Sequence, residues 1–259
     1  KHYFLNFEKE FEKHVINYFV SEYERGRTPH PCLACNDRLK FDFLLKRSEL
    51  MDADYLATGH YAQIKRSKKG NKLFKAKDIT KDQSYVLFNL NQEKMERLLL
   101  PVGKYSKYEI REIAKNLSLS IADKPDSQDI CFIPSGDYKK FVEPKITKNI
   151  SGPIINNGKI IGKHKGIHSF TIGQRKGLPI ENISNRPVYV TKINPETNEV
   201  TVGHAEDLMK KRLFCNKVNW TSGKSPNKPV KASVRIRYNG ADSPAEVIPY
   251  GKNEAIINF

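Results

Sequence analysis

The sequence predicts a mixed α/β domain followed by one or two small β-rich domains. In the first third, apolar residues recur at helical spacing around one short strand-like run, whereas from about Ser151 short β-type runs alternate with Gly, Pro and Asn turns. The 259 residues are too many for a comfortable single domain, so we expect two or three. We place these domains at residues 1–145, 150–213 and 214–259, with the first boundary in "VEPKITKNISGP".

Three helices are predicted. The first runs from Phe7 to Tyr23 and ends in the breaker-rich "RGRTPHP". The second is the amphipathic "NDRLKFDFLLKRSEL", which we expect to begin at or just beyond Cys35. The third opens at "SKYE", where Ser106 and Glu109 have capping-box spacing. Its apolar stripe consists of Ile110, Ile113, Ala114 and Leu117.

The strand predictions begin with "ADYLATGHYA", a short strand that runs into a loop, where open α/β sheets place ligand contacts. A hairpin is expected in "YAQIKRSKKGNKLFKAK", which carries seven Lys or Arg between Lys65 and Lys77. Later strands are predicted in "GKIIGKH", "PVYVTKI", "EVTVGH", "KASVRIRY" and "EAIINF".

The charge of the chain points to a polyanionic partner. Lys and Arg number 45 against 29 Asp and Glu, a formal net charge of +16. Such a balance favours nucleic acid, ahead of a membrane surface. No apolar run is long enough for a membrane-spanning helix, and "KHYFLNFEKE" lacks the apolar core of a signal peptide, so we expect a soluble, cytoplasmic protein.

The four cysteines do not indicate a disulfide scaffold in a chain of this length. Cys32 and Cys35, in "TPHPCLACNDRLKF", could be structural thiols, zinc ligands, a dithiol redox pair, or a nucleophile that works with a distant thiol. Zinc needs two further ligands, and neither Cys131 nor Cys215 lies in a second C-x-x-C. A thiol at a helix N-terminus suits the last two alternatives, and the spacing does not decide between them.

A family resemblance decides the matter. "CNDRLKF", "ATGHYA", "KDQSY", "KPDSQDICFIPSGDY", "HSFTIGQRKGL" and "RIRYNG" together resemble the tRNA-specific 2-thiouridylases, which replace the 2-oxygen of the wobble uridine with sulfur. The resemblance covers nearly the whole chain in the family's order. It implies the C-terminal part of a Rossmann-like (PP-loop) adenine-nucleotide hydrolase-type domain, then a central β-rich tRNA-binding domain and a β-barrel-like C-terminal domain.

The resemblance also implies a mechanism. Cys35 matches the first catalytic cysteine, the nucleophile or resolving thiol, and Cys131 in "DICFI" matches the persulfide carrier. ATP, with Mg²⁺, adenylates the uridine 2-oxygen, the terminal persulfide sulfur reaches C2, and AMP leaves. Cys35 then resolves the persulfide, which gives a transient Cys35–Cys131 disulfide. The implied partners are a tRNA with a wobble uridine and an upstream persulfide sulfur-donor protein, with no membrane.

Binding residues carry over position by position. His30, Pro31 and Cys32 match the segment that touches the target base, and some relatives have an aspartate, proposed as a general acid/base, in place of Cys32. Gly59 matches an ATP contact. The positions that match tRNA contacts are His60, Lys81, Asp82, Gln83, Arg237 and Tyr238.

Other polar residues give weaker signals. His164 and His168 have a zinc-like spacing, but no Glu follows the first His and a glycine breaks the helix, so no metal role is predicted. "IGQRKGL" could hold phosphate through Arg175 and Lys176, although a β-turn with exposed charges explains it equally well. Cys215 lies among apolar residues and is expected to be structural.

Two expectations concern the chain as a whole. Members of this family carry an "SGGxDS" phosphate loop and a "TPGQ" segment, whereas no two glycines are adjacent here, so we expect a fragment that is inactive alone. The alternative function is a nucleic-acid-binding module in which Cys32, Cys35 and Cys131 hold a metal or an iron–sulfur cluster.

Overall fold

The computed structural model describes residues 2–126, 129–147, 150–180 and 186–259, which divide between two compact units. Unit 1 combines Lys1–Ala34 with Ser127–Met209, and unit 2 combines Cys35–Asp126 with Lys210–Phe259. Each unit is therefore built from two separate stretches of chain. The three predicted domains stay a prediction.

The α-helices all lie before residue 143 within the described residues. The described residues contain α1 (Glu8–Phe11), α2 (Asn17–Glu24), α3 (Pro31–Ala34), α4 (Leu45–Glu49), α5 (Gln92–Arg97), α6 (Lys107–Asn116) and α7 (Tyr138–Val142). π-helical segments Glu12–Ile16 and Cys35–Leu44 join α1 to α2 and α3 to α4. Short 3₁₀ turns lie at Ile79–Lys81, Ser84–Leu87, Pro101–Lys104, Glu143–Lys145, Ile167–Ser169 and Ala205–Leu208.

The first predicted helix is confirmed by the continuous helical run from Glu8 to Glu24. The start predicted for the second helix is wrong. That helix begins at Pro31 instead of Cys35, because the fixed φ of proline suits the first helical position and proline there loses no hydrogen bond. The thiol of Cys35 consequently lies one turn inside the helix.

Helix α6 confirms the predicted capping box. The Ser106 hydroxyl accepts from the Glu109 backbone N–H at 3.2 Å, and the Glu109 carboxylate accepts from the Ser106 N–H at 2.6 Å. The predicted apolar stripe does not enter a core, since α6 buries no residue and Leu117, just beyond its end, is 65% exposed.

Strands form four sheets among the described residues. They are β1 (Leu56–Ala57), β2 (Ala62–Lys65), β3 (Lys72–Lys75), β4 (Leu98–Leu99), β5 (Gly152–Asn156), β6 (Lys159–His164), β7 (Tyr189–Asn194), β8 (Glu199–Gly203), β9 (Arg212–Asn216), β10 (Val230–Val234), β11 (Ser243–Tyr250) and β12 (Glu254–Asn258). Strands β1 and β4 are parallel, and β2 and β3 form the predicted hairpin. The larger sheets have the orders β6-β5-β8-β7 and β10-β11-β12-β9, and neither closes into a barrel within the described residues.

The predicted later strands are present, with one correction. The strand in "KASVRIRY" ends at Val234, so Arg237 and Tyr238 lie in a loop before β11. Phe214, where the last predicted domain begins, lies inside β9, which pairs with β12.

Two hydrophobic clusters organise unit 1. One lies on the β6-β5-β8-β7 sheet around Ile154, Val190 and Val200, all fully buried. The other joins the first helical run to α7 and the residues around Cys131, and it is centred on Phe19 and Val142. No helix in the described part of the chain is long and apolar enough to cross a membrane.

Candidate functional site

The two cysteines of the C-x-x-C pair have different environments. Cys32 is exposed in α3, directly after the buried Pro31, and Cys35 is half-buried at the start of the π-helical segment. The Leu33 N–H donates to the carbonyl of His30 at 3.0 Å, and burial lowers the pKa of His30. The segment predicted to meet the target base is therefore an ordered helix start.

A buried polar network in unit 2 holds the residue next to Cys35. The Asn36 amide donates to the Val86 carbonyl at 3.1 Å, so the Asn36 oxygen faces His60 Nε2 at 3.2 Å. In the tautomer that satisfies Asn36, Nε2 donates and the Thr58 hydroxyl donates to Nδ1 at 2.8 Å, while Lys40 Nζ lies 3.5 Å from Nε2. This network links the helix of Cys35 to the loop after β1.

The electrostatics of this network keep its histidine neutral. Burial, followed by the charge of Lys40, lowers the pKa of His60 to about 4. An uncharged ring that donates through one nitrogen and accepts through the other fits the Asn36 oxygen and the Thr58 hydroxyl. Sequence reasoning misses this network, although a polar Asn36 three residues before the buried Leu39 is a usable signal.

Gly59 lies in the loop that this network anchors. The Thr58 N–H donates to the Leu99 carbonyl at 3.0 Å, which fixes the loop at the carboxyl end of the parallel strand β1. Gly59 is exposed, and a Cβ built on it would meet no atom within 4 Å. The structure therefore brings Cys35 and Gly59, both predicted site residues, onto two linked segments of one unit.

Cys131 lies in unit 1 on an anchored turn. The Ile133 N–H donates to the Ile130 carbonyl at 2.9 Å, and Ile133 is buried. The Phe132 ring packs edge-on against Phe11 and Phe19, with centroids 5.5 Å apart in each case. Since its neighbours point inward and Cys131 is exposed, the thiol is presented to solvent.

The pairing predicted for Cys35 and Cys131 stays a prediction. The two residues belong to different units, and all four cysteines are thiols in this structure. Cys215 is half-buried on β9, and burial raises its pKa, in keeping with the structural role expected for it.

Two segments predicted to bind tRNA meet in unit 2. The Tyr238 hydroxyl donates to the Asp82 carbonyl at 3.4 Å, and its ring lies edge-on to Tyr85, with centroids 5.8 Å apart. The Asp82 carboxylate accepts from the Ala76 N–H at 2.8 Å, and the Gln83 side-chain oxygen accepts from the Tyr61 N–H at 3.0 Å. Asp82 and Gln83 thus shape the loop.

A cluster of three cations on one carboxylate adjoins these segments. Lys81, Lys107 and Arg111 lie 2.8, 3.2 and 3.5 Å from the oxygens of Asp126. Hydrogen bonds from Lys81 and Lys107 lower the pKa of Asp126 to about 2. The cluster keeps an excess positive charge of two, which suits a phosphate.

The weaker sequence signals resolve into structural features. His164 and His168 are buried, and His164 Nε2 donates to the Asn198 carbonyl at 3.1 Å. Among the described residues, no group of three or more His, Cys, Asp or Glu side chains is arranged to hold a metal ion. Arg175 and Lys176 are exposed in a turn between two positive-φ glycines, and phosphate binding there stays untested.

Two family models match most of the chain. Residues 1–135 match the model described as "tRNA methyl transferase HUP domain", and residues 139–204 match "tRNA methyl transferase PRC-barrel domain". A "tRNA-specific 2-thiouridylase MnmA" from Halothermothrix orenii is 45% identical over 264 residues, covering 100% of this chain and 73% of that protein.

Other relatives carry the same name. The protein from Clostridium perfringens is 44% identical, over 99% of this chain and 72% of its own length. The protein from Clostridioides difficile is 42% identical, with the same two coverages. The family-model descriptions mention a methyl transferase, whereas these relatives are named for thiolation.

Proposed function

Because the chain belongs to the tRNA-specific 2-thiouridylase family, we propose that it serves as a tRNA-uridine 2-sulfurtransferase acting on the wobble uridine. The observation that carries the proposal is the Asn36–His60 network, which ties the helix of Cys35 to the loop of Gly59. A sulfur-handling thiol and a nucleotide contact have to be held together for this reaction, and the network supplies that link.

The loop around Gly59 fits an adenine nucleotide as one wall of a site. Gly59 is exposed and has no side chain, and it follows the carboxyl end of a parallel strand, where nucleotides bind in α/β sheets. When bound with Mg²⁺, ATP supplies the adenylyl group that makes the uridine 2-oxygen a leaving group. Thr58 and His60 hold the backbone of Gly59 in place for that contact.

Sulfur transfer is assigned to the two motif cysteines. An upstream protein persulfide passes its terminal sulfur to Cys131, whose exposure on a fixed turn suits that exchange. The terminal sulfur forms a bond to C2 of the adenylated uridine, and AMP departs with the oxygen. The Cys35 thiolate attacks Sγ of Cys131, the persulfide S–S bond breaks, and its electrons stay on the sulfur that becomes the thiocarbonyl. A dithiol reductant then restores both thiols.

The tRNA contacts follow the predicted segments. His30, Pro31 and Cys32 are proposed to meet the target base, and Lys81, Arg237 and Tyr238 to meet the tRNA elsewhere. For His60 we favour positioning over direct contact, because its ring is buried and bonded to Asn36 and Thr58. Asp82 and Gln83 likewise act through the shape of their loop.

Serine substitutions test the two-thiol assignment in the full-length gene product. With ATP, Mg²⁺, a persulfide donor and a wobble-uridine tRNA, we expect Cys35→Ser and Cys131→Ser each to abolish 2-thiouridine, measured by mass analysis of digested tRNA. Cys215→Ser is the matched control and should keep thiolation. Wild-type turnover in Cys35→Ser would contradict the mechanism. If Cys32→Ser is inactive as well and anaerobically purified protein contains iron, the cluster alternative replaces it.

A further inference from the structure

One end of the C-terminal sheet carries a cavity that the proposed reaction does not use. The cavity has a volume of about 700 Å³ and lies within unit 2, where β9 ends and β12 begins. The last residue of β9, Asn216, pairs in register with Glu254, and both line the cavity. This volume is large enough for one nucleotide.

Trp220, which lines the cavity, carries a buried hydrogen-bond donor. The indole Nε1 of Trp220 is buried and has no hydrogen-bond partner within the described structure. A buried indole N–H normally donates to an acceptor, and leaving that hydrogen bond unmade costs stability. Because Nε1 is shielded from solvent, the indole ring has to shift toward the cavity before the acceptor atom of a ligand can reach it.

The wall around Trp220 is preformed. The Asn219 amide donates to the carbonyls of Phe88 and Leu90, at 2.6 and 3.0 Å, and the Gln92 amide donates to the Thr221 carbonyl. These bonds fasten the segment that carries Trp220 to the chain just before α5 and to the first residue of that helix. A segment whose backbone is already fixed loses little conformational entropy when a ligand enters.

The rim supplies charge and amide groups. Lys217 and Lys252 contribute two positive charges against the one negative charge of Glu254. Lys217 has a φ of +53°, a left-handed conformation that a non-glycine residue rarely adopts and that often marks a functional position. Exposed amides of Asn216 and Asn253 can pair with the polar edge of a base.

From these features we propose that the cavity binds one unstacked nucleotide of the RNA substrate. The Trp220 ring shifts on binding so that its N–H donates to an acceptor of the base or sugar, the rim amides meet the base edge, and Lys217 and Lys252 meet the flanking phosphates. In naming tRNA as that RNA, the inference rests on the proposed function. The cavity itself is a separate site, outside the thiol and ATP segments.

Trp220 is the only tryptophan of the chain, so its fluorescence reports on this cavity alone. We expect a wobble-uridine tRNA to shift the emission of Trp220 and to protect it from acrylamide quenching. Trp220→Phe keeps an aromatic ring but removes the N–H, and we expect it to weaken binding of labelled tRNA several-fold.

Two double lysine variants distinguish phosphate contacts at the cavity from the general effect of removing positive charge. Lys217→Ala/Lys252→Ala should lower the slope of log affinity against log salt by about 2, because each lysine meets one phosphate. Lys46→Ala/Lys115→Ala removes two exposed charges already paired with carboxylates of the same unit, and it should change the slope less. All four positions are exposed, so the fold should tolerate both changes.

The outcomes distinguish this inference from the proposed function. If tRNA binds while Trp220 emission stays constant and the two double variants behave alike, the cavity assignment is wrong and the function stands. If tRNA does not bind at all, the proposed function fails, and titration with the four ribonucleoside monophosphates decides the cavity. In that case unchanged Trp220 emission at millimolar concentrations overturns the assignment.

Discussion

At the scale of single residues, two glycines of unit 2 have opposite surroundings. A Cβ on Gly59 would meet nothing within 4 Å, whereas a Cβ on the buried Gly103 would overlap the backbone carbonyl of Ala62. We therefore expect Gly59→Ala to leave the melting temperature nearly unchanged and to raise the KM for ATP. Gly103→Ala, the matched control, should lower the melting temperature instead.

This pair separates a ligand contact from a folding requirement. Thermal unfolding and thiolation kinetics of the same two variants of the full-length gene product provide the measurement. An unaltered KM for ATP in Gly59→Ala, and in the bulkier Gly59→Val, would remove Gly59 from the nucleotide site.

His60 makes stability depend on pH. Its pKa is about 4 in the folded protein and 6.5 for an ordinary histidine, so between these values the unfolded chain binds the additional proton. Stability is therefore fully present above pH 6.5 and falls as the pH drops towards 4, by about 3 kcal/mol at most.

Urea denaturation between pH 4.5 and 7 measures this effect. His60→Gln should flatten the pH dependence relative to wild type, and His2→Gln, at an exposed position, should leave it unchanged. Other histidines with lowered pKa, such as His164 and His168, are present in all three proteins and cancel in the comparison. An equal pH slope in wild type and His60→Gln would refute the buried neutral histidine.

At the scale of elements, α6 depends on its cap more than on packing. The helix buries no residue, so its amides are held by local hydrogen bonds and by the Ser106–Glu109 capping box. Ser106→Ala should cost about 1 kcal/mol of helix stability and increase hydrogen exchange across Lys107–Asn116. Ser120→Ala, at an exposed position beyond the helix, is the control; equal exchange in both variants would show that the cap is not limiting.

The same helix shows how far sequence reasoning reaches. Its cap and length follow from local rules, and so do the β2–β3 hairpin and the strands β6, β7, β8 and β12. The exposure of its apolar stripe does not follow from local rules. Hydrophobic spacing indicates which face of the helix is apolar, but it does not indicate whether another element covers that face.

The candidate site, too, is only partly predictable from the sequence. The order of the motifs along the chain is enough to predict Cys35, Gly59 and Cys131 as site residues. The Asn36–His60 network and the contact between Tyr238 and Asp82 join residues far apart in the chain, and such pairings depend on tertiary folding. The start of the second helix escapes sequence reasoning because the proline-rich segment before Cys35 is typical of a loop, although proline also opens helices, as Pro31 does here.

At the scale of the whole molecule, the net charge of +16 leads us to expect that RNA binding depends on salt. Each phosphate that meets a lysine or arginine releases condensed counterions, so affinity falls as salt rises. Cationic side chains outnumber carboxylates at two places: three cations share Asp126, and Lys75 and Arg235 share Asp242.

A plot of log affinity for tRNA against log salt concentration should therefore have a slope of several units. Arg237→Ala should reduce that slope by about 1 and weaken binding similarly for all tRNA sequences, because a phosphate contact carries no base information. Lys9→Ala, an exposed lysine of α1, removes the same charge outside the predicted contacts and should change the slope less. Affinity that stays constant from low to moderate ionic strength would exclude phosphate contacts as its main source, and the net charge of the chain would then need another explanation.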